Sequence, residues 1–248
     1  MYKSIEKIFR QFIPKHLKNK NKYIDLVKNS SGIEIGGPSP TFTKKGLLPI
    51  YDSISNLDGC NFSNNTVWEG ELVAENGYLF SNKKTKGVQF ISEGDDLKNI
   101  PNAKYDFVLS CHNLEHFANP LKAIYEWKRI LKPNCYLILV LPNKEKTFDN
   151  KRPITSLEHL QNDFKKEVNE KDETHFEEVI KLHDISMDFG IENLEELKER
   201  VYKNFENRCL HHHVFNQKLV EEILTATNFE LISIDLSQIN IFAIAKSI

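Results

Sequence analysis

Two nearly uninterrupted apolar segments, with a helix-length segment between them, constrain the fold of this chain more than any other feature. Residues 105–110 read Y-D-F-V-L-S and residues 135–141 read C-Y-L-I-L-V-L, which is typical of strands buried on both faces. Between them, Asn119 can cap a helix whose first residue is Pro120, and the Pro-Asn pair at 133–134 can end it. This order predicts a βαβ unit within a parallel sheet.

Other segments extend this sheet toward both ends of the chain. Residues 32–40 read G-I-E-I-G-G-P-S-P, which predicts a buried strand that stops on glycines so that the chain can turn past a ligand. A further short strand is predicted at residues 87–91. Residues 230–236 and 240–246 are close enough in sequence to form an antiparallel hairpin. Helical spacing of apolar residues predicts two short helices within residues 1–29.

Length and composition fit one large domain, or a core of about 150 residues with an insertion. The chain has 248 residues, 40% of them apolar, and its formal net charge of -2 gives no reason to expect a nucleic-acid partner. No apolar run approaches the roughly 18 residues of a membrane span, and the N-terminus lacks an apolar signal region. We therefore expect a cytoplasmic protein without a membrane partner. The four cysteines form no C-x-x-C pair.

Acidic residues follow the first strands at the edge where a nucleotide would bind. Residues 47–51 are predicted to form the second strand or to approach it. In α/β nucleotide sites, a carboxylate about 20 residues after the glycine loop binds the ribose hydroxyls. Asp58 follows Gly36 by 22 positions and is preferred for this role, and Asp52, 16 positions after Gly36, is the alternative.

Five short motifs occur in an order that resembles a known enzyme family. They are E-I-G-G at 34–37, E-G-D-D-L at 93–97, Y-D-F-V at 105–108, L-E-H at 114–116 and E-W-K-R-I-L-K-P at 126–133. The series resembles the class I S-adenosylmethionine-dependent methyltransferases, and the resemblance covers roughly residues 30–142 and 214–248. It implies a Rossmann-like α/β fold with a mostly parallel seven-stranded sheet and a C-terminal antiparallel hairpin. It also implies S-adenosylmethionine as the cofactor and a small molecule as the substrate.

The resemblance further implies which residues contact the cofactor. In this family the glycine loop passes the amino-acid part, a carboxylate after the second strand binds ribose, and residues after the third strand contact adenine. Carried over by position, the cofactor-binding residues are Glu34, Gly36, Gly37, Ser39, Asp58, Glu93, Gly94, Asp95, Asp96 and His112. Pro38 and Pro40 stand where the family usually has glycine, and proline lacks both the N–H and the conformational range of glycine. The expected loop contacts therefore shift to Glu34, Gly36, Gly37 and Ser39.

Residues 143–213 form a long helical insertion before the last helix, and six of the nine histidines lie in it. Long insertions often act as lids or bind substrate, and histidine can remove a proton from a methyl acceptor near neutral pH. The predicted catalytic residues are His183, Asp184, His212 and His213. The predicted substrate-binding residues are Arg152, His159, Arg208 and His211. Because an extended H-H-H segment alternates its faces, at most two of its three histidines can share a site.

Two other interpretations of the insertion stay open. Its imidazoles and carboxylates could gather a divalent metal ion, although no H-x-x-x-H or H-E-x-x-H spacing supports one and no metal ligand is assigned. Alternatively, Glu158, His159 and Glu178 simply solvate helices.

The sequence as a whole predicts N-terminal helices at 1–29, a methyltransferase core at 30–142 and 214–248, and a lid at 143–213. The motifs R-P-x-T, L-H-D and N-R-C-L-H-H-H-V-F resemble methyltransferases of bacterial surface-polysaccharide synthesis. This resemblance implies O-methylation of a small sugar-like or phosphate-bearing capsule precursor, and arginine side chains would suit a phosphate group. The alternatives are a metal-dependent hydrolase or lyase that uses the histidines, and a non-catalytic methyltransferase-like binding subunit.

Overall fold

The segments with the strongest apolar signal form the centre of a single sheet. The computed structural model describes residues 16–72, 74, 77–80, 87–237 and 239–248. The strands of this described part are β1 (Ser31–Ile35), β2 (Asn56–Asn61), β3 (Asn65–Thr66), β4 (Gly70–Glu71), β5 (Gln89–Ile91), β6 (Tyr105–Cys111), β7 (Leu131–Pro142), β8 (Phe229–Leu236) and β9 (Asn240–Ser247). Its α-helices are α1 (Lys20–Val27), α2 (Pro120–Ile130), α3 (Leu157–Lys165), α4 (Phe176–Leu182), α5 (Leu194–Tyr202), α6 (Asn204–Asn207) and α7 (Gln217–Ala226).

Seven strands pair in the order β5-β2-β1-β6-β7-β9-β8, and the short strands β3 and β4 form a separate hairpin. The strands from β5 to β7 in this order run parallel, whereas β9 is antiparallel to both β7 and β8. The predicted mostly parallel seven-stranded sheet with a C-terminal antiparallel hairpin is therefore confirmed. The strand order reverses between β1 and β6, which opens a crevice at the carboxyl ends of these strands.

Apolar clusters cover both faces of the sheet. On one face, Trp127 of α2 and Ile223 of α7 are fully buried against β6 and β7. On the other, Tyr23 of α1 and Tyr51 pack in a second cluster. Asn119 caps α2 as predicted, because its side-chain oxygen accepts a hydrogen bond from the N–H of Lys122 at 3.1 Å.

The second strand lies later in the chain than predicted. Residues 47–51 lead into a short 3-10 helix, Tyr51–Ser53, and the strand beside β1 is β2. The sequence of β2, N-L-D-G-C-N, carries little apolar signal because Asp58 and Gly59 stand in its middle. A Cβ at Gly59 would lie 2.1 Å from the ring of Tyr78, so this position requires glycine. Asp58 therefore lies inside a strand rather than after one.

Helices α3 to α6 lie between β7 and α7, in the insertion. Helices α4 and α5 have an apolar cluster of their own, which consists of Phe176, Val179, Ile191, Leu197, Val201 and Leu210. Asparagine and serine caps begin the two longest of these helices, since Ser156 accepts from the N–H of His159 and Asn193 accepts from that of Glu196. Leu160 of α3 instead packs in the main core, so only the part of the insertion around α4 and α5 packs separately from the sheet.

Two expectations concern the N-terminus and membranes. The second predicted N-terminal helix corresponds to α1, whereas the first falls before residue 16 and lies outside the described residues. In the part of the chain that the structure describes, no helix is both long enough and apolar enough to span a bilayer.

Candidate active site

A cleft of about 1170 Å³ opens between the carboxyl edge of the sheet and the insertion. Its floor is formed by residues at the ends of β1, β2, β5 and β6, and its roof by residues of the insertion. Trp68, on the β3–β4 hairpin, lines one side and leaves 53% of its surface exposed. A crevice at the reversal point of an open α/β sheet is where such folds bind ligands.

Glu34 lies beneath the glycine loop and not in the cleft. Its side chain is fully buried, and Oε1 accepts a hydrogen bond from the N–H of Ser39 at 3.0 Å. The hydroxyls of Tyr51 and Tyr78 donate to Oε2 at 2.6 and 2.7 Å. Burial raises the pKa of Glu34 to about 7, although the three donors oppose the rise. Glu34 holds the loop from below, and its predicted contact with the cofactor stays a prediction.

Close neighbours require both glycines of the loop. Gly36 lines the cleft with a φ of +76°, and a Cβ there would lie 2.5 Å from Oδ1 of Asn113. A Cβ at Gly37 would lie 2.3 Å from the carboxyl carbon of Glu34 and from the hydroxyl oxygen of Tyr78. A side chain at either position would therefore displace the floor of the cleft.

The two prolines shape the turn that follows. The Gly37–Pro38 peptide bond is cis, and Pro40 begins a 3-10 helix, Pro40–Phe42. Ser39 caps this helix by accepting a hydrogen bond from the N–H of Thr41 at 3.2 Å. Pro38, Ser39 and Pro40 all line the cleft. The loop is thus a proline-shaped turn in place of the usual glycine-rich one.

Asp58 does not face the cleft. Its carboxylate accepts hydrogen bonds from the hydroxyl of Tyr105 at 2.6 Å and from the N–H of Val88 at 2.8 Å, and it pairs with Lys104 at 3.0 Å. Because its oxygens are already used inside the sheet, its predicted ribose contact stays a prediction without support from this geometry. The alternative, Asp52, lies in the Tyr51–Ser53 helix, also outside the cleft lining.

Asn61, the last residue of β2, is the polar group at this strand end that faces the cleft. Its Nδ2 donates to the carbonyl of Gly37 at 3.1 Å, and its Oδ1 accepts from Nε2 of Gln89 at 3.0 Å. A side-chain amide has two N–H groups and two lone pairs, so one of each is left for a ligand. An amide therefore occupies the position where a carboxylate was predicted.

The residues after β5 divide between the cleft and the surface of the core. Glu93 and Gly94 line the cleft. Asp95 is instead buried in an ion pair with Lys122 at 2.9 Å, and Asp96 lies outside the lining. Neither residue lines the cleft, so the predicted cofactor contacts of Asp95 and Asp96 stay predictions without support from this geometry.

The turn after β6 brings two more polar residues to the floor. His112 has a left-handed backbone with φ of +48°, and its Nε2 lies 2.7 Å from Oδ1 of Asn240. The adjacent Asn113 has a buried Nδ2 without a hydrogen-bond partner among the described residues. Both line the cleft, so this turn offers an unused donor next to Gly36.

His211 and Asp149 form the main chemical feature of the roof. His211 Nδ1 donates to one oxygen of Asp149 at 2.5 Å, and Arg152 donates to the other at 2.8 Å. Burial lowers the pKa of His211, but the charge and hydrogen bond of Asp149 outweigh it, so that the pKa is raised overall. Burial opposes the ionisation of Asp149, yet His211 and Arg152 hold its pKa well below the usual range. With the proton on Nδ1, the acceptor nitrogen of the neutral ring is Nε2.

Glu115 and His116 lie beside His211 in the cleft lining. His116 Nδ1 donates to the carbonyl of Leu210 at 3.0 Å, and its ring centroid lies 4.7 Å from that of His211. Glu115 is fully buried, both its carboxylate oxygens lack a partner within the described residues, and burial raises its pKa. One ligand atom from each of the three lies within 4.8 Å of the others, so the trio could hold a divalent cation.

The predicted catalytic residues lie outside this cleft. His183 Nε2 lies 3.0 Å from Asp188, and Asp184 accepts from Ser186 on the outside of the insertion. His212 and His213 are buried behind His211, and burial lowers the pKa of His212 to about 3 and that of His213 well below its usual value. None of the side chains of His183, Asp184, His212 and His213 lines the cleft, so their predicted catalytic roles stay predictions without support from this geometry.

Of the predicted substrate-binding residues, Arg152 and His159 do not line the cleft. Arg152 is fully buried, and besides Asp149 it contacts Glu178 at 2.8 Å, so it is a structural ion-pair residue. His159 lies on α3, with its Nε2 3.2 Å from Nε2 of His175. These contacts do not support the two predicted substrate-binding roles, which stay predictions.

Arg208 does line the cleft, where it joins the insertion to the end of β5. Its guanidinium pairs with Glu93 at 2.8 Å and with Glu170 at 2.7 Å, and it packs on the ring of Phe62 at 5.2 Å. Both carboxylates neutralise it, so Arg208 is not a free cation for a phosphate group.

Acidic side chains outnumber basic ones in the described cleft lining. The carboxylates are Glu69, Glu71, Glu93, Glu115, Glu170 and Asp188, and the arginines are Arg200 and Arg208. Both arginines are paired with carboxylates of the lining, so the described part of the lining offers no unpaired guanidinium to an anionic ligand.

Sequence reasoning missed Asn61, Asp149, Glu115, His116 and Trp68 as members of the site. Glu115 and His116 belong to the L-E-H motif at 114–116. This motif contributed to the family resemblance, but it did not predict that the two side chains line the cleft. Asp149 lies 62 residues before His211, and only the folded insertion brings them together.

Comparisons with known proteins agree with this architecture. A family model described as "Methyltransferase domain" matches residues 24–234. A structure of an S-adenosylmethionine-dependent methyltransferase from Mesorhizobium loti is 9% identical, with 92% of this chain and 95% of that chain covered and a TM-score of 0.54. One from Aquifex aeolicus is 12% identical, with 98% of both chains covered and a TM-score of 0.50. At these identities the structural likeness shows the fold. No curated protein sequence matches the chain.

Proposed function

The chain belongs to this methyltransferase family, and from that membership we propose that it transfers the methyl group of S-adenosylmethionine to a hydroxyl oxygen of a small, neutral, sugar-like acceptor. The single observation that carries the acceptor side of this proposal is the His211–Asp149 pair in the roof of the cleft.

The floor of the cleft fits S-adenosylmethionine by the chemistry of its groups. Gly36 lines the cleft without a side chain, Asn61 offers an amide at the end of β2, and Asn113 has a buried donor that no described residue uses. When bound, the cofactor supplies an electrophilic methyl group on a sulfonium. The residues that would hold it are Gly36, Ser39, Asn61, Glu93, Gly94, His112 and Asn113.

On the acceptor side, His211 serves as the general base. Asp149 fixes the proton on Nδ1, so Nε2 can take the proton of an acceptor hydroxyl, and the carboxylate then stabilises the resulting imidazolium. Asp149 is itself held by Arg152, so the orientation of the imidazole is set before the acceptor binds. Positioning an acceptor and its base in this way can lower the barrier by several kcal/mol, roughly 3 to 5 for the proton transfer alone.

The charged residues of the lining support a neutral acceptor. Of the two acceptor classes inferred from the sequence, sugar-like and phosphate-bearing, they favour the sugar-like one. Arg152 and Arg208 are both paired with carboxylates, so neither supports binding of a phosphate. The exposed ring of Trp68, 5.4 Å from that of His116, offers an apolar surface of the kind on which sugar rings pack. The sequence resemblance supports a bacterial surface-polysaccharide precursor as the source of such an acceptor.

Two measurements test the proposal. Calorimetry with S-adenosylhomocysteine should show binding to the purified chain, and radiolabelled S-adenosylmethionine should label neutral sugars or nucleotide sugars in a panel of acceptors. If only amines are labelled, the methyl acceptor is a nitrogen atom and not an oxygen atom. Cofactor binding without any turnover would favour a non-catalytic binding subunit. Turnover that disappears with a chelator and returns with Mg²⁺ or Mn²⁺ would instead favour a cation held by Glu115, His116 and His211.

Replacing Asn61 with alanine is expected to weaken binding of S-adenosylhomocysteine by about 1 to 3 kcal/mol, because one ligand contact and the bond to Gly37 are lost. Isothermal titration measures the effect. Asp58→Asn is the matched comparison: it should lower the free energy of unfolding while changing affinity little, since Asp58 bonds only inside the core. A larger loss of affinity in Asp58→Asn than in Asn61→Ala would instead support Asp58 as the residue that binds the ribose.

A further inference from the structure

A second group of histidines lies inside the insertion, apart from the cleft. It consists of His159, Asp163, His175 and His213 and is called the lid cluster below. His159 and Asp163 are four residues apart on α3, so they share one face of that helix. His175 directly precedes α4, and His213 follows α6 in an extended segment. The cluster therefore joins three separate parts of the insertion.

The spacing of its polar atoms fits one tetrahedral metal ion. One ligand atom from each residue lies within 4.8 Å of the others. His159 Nε2 lies 3.1 Å from Asp163 Oδ2 and 3.2 Å from His175 Nε2. Ligand atoms on a tetrahedral zinc ion, with bonds of about 2.0 to 2.1 Å, stand about 3.3 to 3.4 Å apart.

Two buried atoms of the cluster point to a missing partner. Asp163 Oδ2 and His213 Nδ1 are buried without a hydrogen-bond partner among the described residues. An unpaired buried polar atom is costly, and a buried carboxylate oxygen more so. His213 Nε2 contacts the carbonyl of Ala118 at 3.3 Å, which requires the proton on Nε2 and leaves the lone pair on Nδ1. A backbone carbonyl bonded to the far nitrogen is the usual support for a metal-binding histidine.

A neighbouring group of Asp172, His175 and His212 shares His175 with the lid cluster. There, Asn204 donates to Nε2 of His212 at 3.1 Å while its own Oδ1 accepts from the N–H of Leu210, which fixes the orientation of the amide. His212 therefore carries its proton on Nδ1, toward Asp172, and has no lone pair left for a metal. The lid cluster is the better of the two sites.

We infer that the lid cluster binds one structural zinc ion through His159, Asp163, His175 and His213. Three imidazole nitrogens and one carboxylate oxygen are typical zinc ligands, whereas Mg²⁺ and Ca²⁺ prefer all-oxygen sites. Four protein ligands complete the coordination, so the ion has a structural rather than a catalytic role. The side chain of His159 is 40% exposed, which gives the metal a path of entry. The ion would fix α3 to the segment that carries His211.

The test uses the full chain purified without a histidine tag. Elemental analysis should find about one zinc per chain, and Co²⁺ substituted for zinc should give the visible absorption bands of a tetrahedral site. Asp163→Asn and His175→Gln should each lower zinc affinity at least about tenfold, measured by competition with a chromophoric chelator. His183→Gln is the matched control, because this buried histidine of the same insertion pairs with Asp188 outside the cluster and should leave zinc affinity unchanged.

The effect on stability separates a zinc site from an unoccupied one even where a variant folds poorly. With zinc bound, Asp163→Asn should lower the thermal midpoint, and removal of zinc from the unaltered chain should lower it as well. Without a bound metal, Asp163→Asn would only alter the pairing of Asp163 Oδ2 with His159 Nε2 at 3.1 Å, and a chelator should leave the thermal midpoint of the unaltered chain unchanged. That result, or wild-type chain that binds less than a tenth of an equivalent of added zinc, would overturn the inference. Neither measurement depends on turnover, so the methyltransferase proposal is tested separately.

Discussion

Replacing His211 with glutamine is expected to lower turnover by about 100- to 10,000-fold while leaving the affinity for S-adenosylhomocysteine nearly unchanged. The glutamine keeps hydrogen-bonding capacity next to Asp149 but cannot accept a proton as an imidazole does. Single-turnover rates with labelled S-adenosylmethionine and saturating acceptor measure the effect, and calorimetry measures the affinity. Asp149→Asn should cause a smaller loss, because the imidazole remains but its orientation and its charged form lose support.

His183→Gln is the matched control for this prediction. His183 also pairs with an aspartate, and it stacks on the same phenylalanine, Phe148, at 4.4 Å between centroids, against 4.7 Å for His211. Only His211 lines the cleft, so the control should keep near wild-type turnover. Equal losses in both variants would show that packing around Phe148, and not proton transfer, explains the effect.

Replacing Glu34 with alanine is expected to lower the free energy of unfolding by about 2 to 5 kcal/mol and to abolish measurable cofactor binding. The substitution leaves the hydroxyls of Tyr51 and Tyr78 buried without their acceptor, directly beneath the loop, and the N–H of Ser39 keeps only the Tyr51 oxygen as an acceptor. Urea unfolding measures the stability, and calorimetry with S-adenosylhomocysteine measures the binding. Tyr78→Phe removes a single donor to the same carboxylate and should cost only about 1 kcal/mol. Equal costs for the two variants would contradict the supporting role of Glu34.

The same carboxylate should make stability depend on pH. Its pKa is about 7 in the folded chain, above the usual value of about 4.3 for glutamate, so the folded state binds the extra proton between these values. Its contribution to stability is therefore greatest below about pH 4 and is lost as the pH rises through 7. We expect the stability of the wild-type chain relative to Glu34→Gln to fall by on the order of 3 kcal/mol between pH 5 and 8. A relative stability that stays constant across this range would show that the folded carboxyl titrates normally.

The central strands and their joining helix were predictable because burial on both faces leaves a continuous apolar run. β6 begins at Tyr105 as expected, and the helix between β6 and β7 begins at Pro120 after its asparagine cap. β2 was not predictable from apolar runs, since a polar residue and a glycine fill its centre. As a result, Asp58, the carboxylate predicted to follow the second strand and bind ribose, lies inside that strand. A strand that hydrogen-bonds its polar side chains to neighbouring strands has no periodic pattern to find.

The base in the roof was only partly predictable. The histidine triplet was recognised as chemically important, but the sequence does not show which imidazole faces the cleft. In the fold, His211 faces it because Asp149 and Arg152 meet that side of the segment, whereas His212 and His213 point into the insertion. The partners lie about 60 residues away along the chain, so the choice is made by tertiary packing, not by local alternation.

The position of Arg208 between two carboxylates has a consequence for the kinetics of ligand exchange. Separation of the insertion from the end of β5 must break the Arg208–Glu93 pair, whereas Glu170 lies in the insertion together with Arg208. The two pairs also differ in their contact with water: the Glu93 side chain is 40% exposed and that of Glu170 only 11%. Salt screens exposed charges more strongly than buried ones. The Glu93 pair should therefore separate first, so that the spent cofactor leaves from the β5 side at a rate that increases with ionic strength.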